Sequence, residues 1–181
     1  MNKLVVLFLL GGTAAAQTGL LVPTSTGRPD ASVLALERGR ANFEAAGMPL
    51  RIGAGAAHSF VAEDVFAWLA RAATKNERFD LVIVDPPSYS STKKRRFVAE
   101  SDYGDLVAMV SKVLGPQGKV VACCNHRGLQ RGKLRRFVAQ GMKAGPAGAE
   151  LSQLKDLPDA PDFPPPLGRE PYMKSVLATL L

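Results

Sequence analysis

The chain of 181 residues has only two cysteines, Cys123 and Cys124, and only two histidines, His58 and His126. Neighbours in a strand point to opposite faces, so the two thiols are not expected to pair with each other, and such sparse use fits a reducing compartment. The histidines have no ligand partners at a recognisable spacing, so no metal centre is expected. The apolar run "LVVLFLL" near the N-terminus is far shorter than the ~20 residues of a membrane-spanning helix, which leaves no membrane expected as partner. Internal repeats and long low-complexity tracts are absent. The proline-rich "LPDAPDFPPPLGREP" reads as a connecting loop rather than a peptide ligand.

What is present is enough apolar residue, 46%, for one core and too little chain for two, so residues 1–181 are read as a single domain. The net charge of +7 is not spread evenly. Between Leu81 and Arg136 eleven Lys/Arg face four Asp/Glu, whereas the remainder has twelve of each. A surplus concentrated in one third of the chain points to a polyanionic partner there.

Apolar strands alternate with amphipathic helices. Strands are expected at Leu4 to Leu9, Leu20 to Thr24, near His58 to Val61, Phe79 to Val84, Lys119 to Cys123, Ala149 to Leu154 and Ser175 to Leu181. Helices are expected at Ser32 to Ala46, across "EDVFAWLARAA", at Asp102 to Leu114 and at Arg131 to Met142, with Gly115 to Gly118 as a turn. This alternation implies an α/β fold, a mostly parallel sheet covered by helices on both faces, with function at the carboxyl ends of the strands. The N-terminus has a competing reading: "MNKLVVLFLLGGTAAAQ" also has the form of a secretory signal peptide over residues 1–16, in which case the protein is secreted rather than cytoplasmic.

The chemistry concentrates in "LVIVDPPSYSSTKKRRF". Asp85 ends a buried strand, and Pro86 and Pro87 lack N–H donors and fix φ, so the carboxylate and the following carbonyls form a rigid set of acceptors. A nucleobase amine or ring N–H suits that set, as does a simple turn cap. Asp64 opens a helix, where it can accept from an adenine amine or serve the helix N-terminus. Gly11 and Gly12 would admit a nucleotide-like ligand to the backbone, without the fuller G-x-G-x-x-G pattern. Cys123 or Cys124 ends the strand beside Asp85, as a small buried hydrophobe or, if His126 and Arg127 favour its thiolate, as a nucleophile. Lys93, Lys94, Arg95 and Arg96, with Arg127 and Arg131, would grip phosphates or form a solvated surface.

Three blocks, "FDLVIVDPPSYSSTKKRRFVAESDYGDLV", "GKVVACCNHRGL" and "QLKDLPDAPDFPPPLGREPYMKSVL", together resemble the catalytic domain of class I S-adenosylmethionine-dependent methyltransferases, in particular those related to the bacterial 23S ribosomal RNA cytosine carbon-5 enzymes. The resemblance implies a Rossmann-like fold, S-adenosyl-L-methionine as cofactor and ribosomal RNA as partner. It makes Asp85, Pro86, Pro87 and Ser88 the target-base motif, Asp64 the adenine contact and Cys124 the nucleophile. The acid that ends the second strand in the family is missing from "GLLVPTSTGRPD", where Asp30 is the nearest candidate for the ribose. Two rivals remain at this point: direct methylation of an exocyclic amine without a cysteine, and a truncated homologue that binds RNA without catalysis.

Overall fold

The computed structural model describes residues 4–8, 20–21, 29–47, 59–60, 64–91, 96–146, 150–159, 161, 164–165 and 167–181. Gly11, Gly12, Lys93, Lys94 and Arg95 lie outside the described residues, and of Asp30 only the backbone is described. Nine strands and four helices run in the order β1 (Leu4–Phe8), β2 (Leu20–Leu21), α1 (Pro29–Ala45), β3 (Ser59–Phe60), α2 (Val65–Thr74), β4 (Phe79–Asp85), β5 (Tyr89–Ser91), β6 (Arg96–Val98), α3 (Ala99–Ser111), β7 (Leu114–Cys124), α4 (Arg131–Met142), β8 (Leu151–Asp156) and β9 (Lys174–Leu180) among the described residues.

Seven strands form one sheet in the order β3-β2-β1-β4-β7-β9-β8. The first five pair in parallel, and β9 and β8 join antiparallel to β7 and to each other. The mostly parallel sheet expected from the alternation is therefore present, with an antiparallel edge. Leu4–Phe8 is a strand between β2 and β4, as its strand reading required. Chain order reverses between β1 and β4, one running outward through β2 and β3 and the other through β7. Parallel crossovers are right-handed, so connections that progress in opposite directions lay their helices on opposite faces. This puts α1, between β2 and β3, opposite α3, between β4 and β7.

Among the described residues the core lies on the face covered by α2, α3 and α4. Val82 and Val84 of β4, Val120, Ala122 and Cys124 of β7, and Val176, Ala178 and Leu180 of β9 all point to it with period two. Onto them pack Val65, Phe66, Trp68, Leu69 and Ala72 of α2, Tyr103, Leu106, Val107 and Val110 of α3, and Leu134, Val138 and Met142 of α4. These helical positions recur three and four residues apart, as a buried stripe demands. A Cβ on Gly141 of α4 would stand 2.7 Å from the Val107 Cβ and 2.8 Å from the Ala108 nitrogen, so the approach of α4 to α3 depends on glycine there.

Some boundaries differ from the sequence reading for local reasons. Helix α3 starts at Ala99 rather than Asp102, because the Asp102 carboxylate reaches back to accept from the Val98 backbone N–H at 2.8 Å and secures the first turn. The expected turn at Gly115 to Gly118 is an excursion inside β7. Phe79 pairs with Leu114 and Leu81 with Lys119, so four residues bulge opposite one, with Gln117 at φ 56°. The hairpin of β5 and β6 follows the Asp-Pro-Pro segment and was not foreseen from the sequence.

Candidate active site

The reversal point of such a sheet leaves a crevice outside the carboxyl ends of the two diverging strands. Asp85 is the last residue of β4 and pairs with Phe8, the last of β1, so its carboxyl stands at that crevice. Partial burial pushes the Asp85 carboxyl up from its ordinary value of 3.8. Pro86 is buried and Pro87 half-buried. The Ser88 carbonyl accepts from the Ala99 N–H at 3.0 Å, and its hydroxyl donates to Asn125 Oδ1 at 3.4 Å. The loop after β4 is thereby tied to the start of α3 and to the loop after β7.

The two strand ends are bridged by a side chain that sequence reasoning missed. Tyr103 of α3 is fully buried, and its hydroxyl donates to the Cys123 carbonyl at 2.6 Å with the Val84 carbonyl at 3.2 Å. One phenol thus fixes the ends of β4 and β7 against each other. Its apolar spacing with Leu106, Val107 and Val110 marked it only as core, and its polar end had no sequence signal.

The register pairs Val84 with Ala122, so alternation brings Cys123 to the Asp85 face while Cys124 points into the core on the opposite face. Both thiols are free. Burial pushes Cys123 up to about 11, offset only in part by the Ser175 hydroxyl, which donates to its sulfur at 3.5 Å. Burial also raises Cys124, which is 1 % exposed. Its sulfur, however, accepts the His126 backbone N–H at 3.4 Å and lies near the Lys174 ammonium, and both favour thiolate. The help expected from the side chains of His126 and Arg127 is not what the geometry provides. The His126 ring turns away to Glu100, with Nε2 and Oε1 2.9 Å apart, and the Arg127 guanidinium lies 6.0 Å from the centroid of the Tyr172 ring. Gly128 makes the first contact possible: a Cβ there would stand 1.9 Å from Glu100 Oε1.

The remaining expected residues divide. Asp64 is the N-cap of α2, its Oδ1 accepting the Ala67 N–H at 3.0 Å, which engages one carboxylate oxygen in a structural bond. Arg96 is exposed and lies 5.3 Å from the ring centroid of Tyr89, itself 51% exposed, beside the Asp-Pro-Pro segment. Arg131 is committed internally instead. It pairs with Asp159, bonds the Leu157 carbonyl at 3.4 Å, and its backbone N–H donates to Glu170. Among the described residues no cluster of three or more His, Cys, Asp and Glu could hold a metal ion, and no helix is long and apolar enough to cross a membrane.

Known proteins share this fold. YwbD of Bacillus subtilis strain 168, provisionally named a ribosomal RNA large subunit methyltransferase, is 38% identical over 87 residues, 48% of this chain and 22% of its own length. SMU.776, provisionally named a methyltransferase and solved with SAH, superposes with a TM-score of 0.72 at 22% identity, over 98% of this chain and 45% of its own. A SAM-dependent methyltransferase from Agrobacterium tumefaciens gives 0.62 at 15% identity, over 99% of this chain and 56% of its own. The chain therefore spans about a fifth of the curated relative and about half of each solved one. The sequence profile of the S-adenosylmethionine-dependent methyltransferases matches residues 12–174, and with nine-tenths of its length inside that match the chain belongs to this family.

Proposed function

We propose that the protein transfers a methyl group from S-adenosylmethionine to a base of ribosomal RNA in the cytoplasm, and that the acceptor is carbon 5 of a cytosine. The observation that carries this reading is that the strand ending in Asp85 lies beside the strand ending in Cys123 and Cys124, next to the crevice of the sheet, with Cys123 on the Asp85 face and Cys124 on the other. Kinship with YwbD, a protein named for ribosomal RNA, supports the substrate class.

The donor set fits the cofactor. Asp64 and Asp85 offer carboxyl acceptors at the carboxyl side of the sheet, and among the described residues no ion pair includes Asp85, which suits a molecule presenting amine N–H groups. When bound, S-adenosylmethionine supplies an electrophilic methyl on sulfonium sulfur. Carbon 5 of cytosine is too weak a nucleophile to take it unaided. The Cys124 thiolate adds to carbon 6, and the displaced π electrons make carbon 5 enamine-like and reactive towards that methyl. The negative charge that would gather on N3 is neutralised by a proton delivered through Asp85, whose carboxyl is made easier to protonate by burial. Loss of the carbon-5 proton to water then expels the sulfur as thiolate and restores the 5,6 double bond, and N3 returns its proton to Asp85. The base must leave its stack to reach these groups. Arg96, Arg127 and the neighbouring Lys93, Lys94 and Arg95 would contact phosphates, giving salt-sensitive affinity rather than sequence choice.

A second reading keeps the cofactor and makes an exocyclic amine the acceptor, with Asp85 accepting its N–H. The burial of Cys124 favours it. Incubation of ribosomal RNA with labelled cofactor, followed by nucleoside analysis, separates the two. The expected product is 5-methylcytidine. An amine-methylated nucleoside would transfer the site to the second reading, and unlabelled RNA would overturn both.

A further inference from the structure

Lys174 opens β9, and its side chain is 1 % exposed, yet none of the ion pairs among the described residues includes it. A buried ammonium ordinarily has a carboxylate partner, because desolvation otherwise costs several kcal/mol, of the order expected for any isolated buried ion. Here Nζ donates to two backbone carbonyls, His126 at 2.9 Å and Tyr172 at 3.4 Å. The register places Lys174 directly across from Cys124, and alternation puts both side chains on the core face. His126 is consequently held from two sides. Its carbonyl is fixed by the ammonium, and its N–H points at the Cys124 sulfur 3.4 Å away.

We propose that Lys174 is a positioning residue for Cys124: it anchors the His126 peptide against the sulfur and supplies the positive charge that makes a thiolate tenable inside the core. This rests on the reading of Cys124 as nucleophile and deepens it. The charged and titratable groups around the sulfur are Asp85 on β4, which opposes the thiolate, Tyr103 on α3, and Cys123 on its own strand. Glu100 on α3 is turned to the His126 ring. Lys174 is the cation in this set, and Cys123, on the other face, has the Ser175 hydroxyl in its place. The sequence carried a signal for this, since "YMKSVLATLL" sets a lysine in phase with the buried Val176, Ala178 and Leu180.

The ultraviolet absorbance of the thiolate, titrated against pH in the Cys123→Ser protein and corrected with the cysteine-free double variant, reads Cys124 without requiring reagent access. Lys174→Gln keeps an N–H donor and removes the charge; Lys174→Arg keeps the charge. The expected result is a midpoint raised by about one pH unit or more in Lys174→Gln, equivalent to ~1.4 kcal/mol, and largely restored in Lys174→Arg. An unchanged midpoint in Lys174→Gln, or an equal rise in both variants, overturns the proposal. If Cys124→Ala still methylates RNA, the nucleophile reading falls while the titration still decides the part played by Lys174.

Discussion

Cys123 and Cys124 are adjacent in one strand and differ in almost everything that governs a thiol. Cys123 shares the Asp85 face and has a neutral hydroxyl for company, and burial lifts it to about 11. Cys124 lies deeper in the core, but a backbone N–H and an ammonium converge on its sulfur. Exposure and reactivity thus point to different residues. Access can change when a loop moves, whereas a thiol with no charge to stabilise its anion stays protonated. Burial raises both thiols, and the contrast is that Cys124 alone of the two has a backbone N–H and an ammonium offsetting that rise.

Replacement of each thiol probes this most severely. Cys124→Ala is expected to lower methyl transfer by about a thousandfold or more, the scale on which loss of an essential nucleophile reads, while Cys123→Ala stays within about twofold. Both are measured as initial rates with labelled cofactor. Equal losses would erase the distinction.

Asp85→Asn tests the acid on the Cys123 face. Methyl transfer should fall by about a hundredfold, while the melting temperature at neutral pH rises. The sign follows from linkage. A carboxyl whose folded pKa is raised contributes stability below its unfolded value near 3.8, and that contribution is lost as pH rises through the folded pKa. The amide removes the penalty, by about 2–4 °C for each ~1 kcal/mol relieved in a chain of this size.

Tyr103→Phe acts on the bridge between the strand ends. It deprives the Cys123 and Val84 carbonyls of a buried donor, and a loss of ~1–3 kcal/mol in denaturant unfolding is expected. The smallest effect belongs to the arginines. Removing Arg96 or Arg127 should each reduce the salt slope of RNA binding by about one. Arg131→Ala should leave that slope unchanged and lower stability, because its guanidinium is held by Asp159 and the Leu157 carbonyl.

The pattern of apolar strands carried the fold well, since parallel strands buried on both faces read as continuous hydrophobic runs. Asp85 was legible for a related reason: an acid and two prolines at the end of such a run form a rigid acceptor set whatever the tertiary packing around them. The rest of the site was less legible because it depends on tertiary pairing. Which cysteine faces Asp85 follows from the register of β7 on β4, which the four-residue excursion at Gly115 to Gly118 resets. The engagement of Arg131 with Asp159 and of Lys174 with His126 joins residues 28 and 48 apart in sequence. Asp64 could be read as a ligand or as a helix cap, and the structure engages one of its oxygens as a cap.

The most direct measurement uses RNA in which the target cytidine carries fluorine at carbon 5. Fluorine cannot leave as a cation, so an enzyme that adds through sulfur stays covalently attached after methyl transfer. With S-adenosylmethionine present, the unmodified protein and Cys123→Ala should give a denaturation-resistant RNA adduct mapping to Cys124, and Cys124→Ala should give none. An adduct on Cys123, or methylated RNA with no adduct from the unmodified protein, would contradict the account.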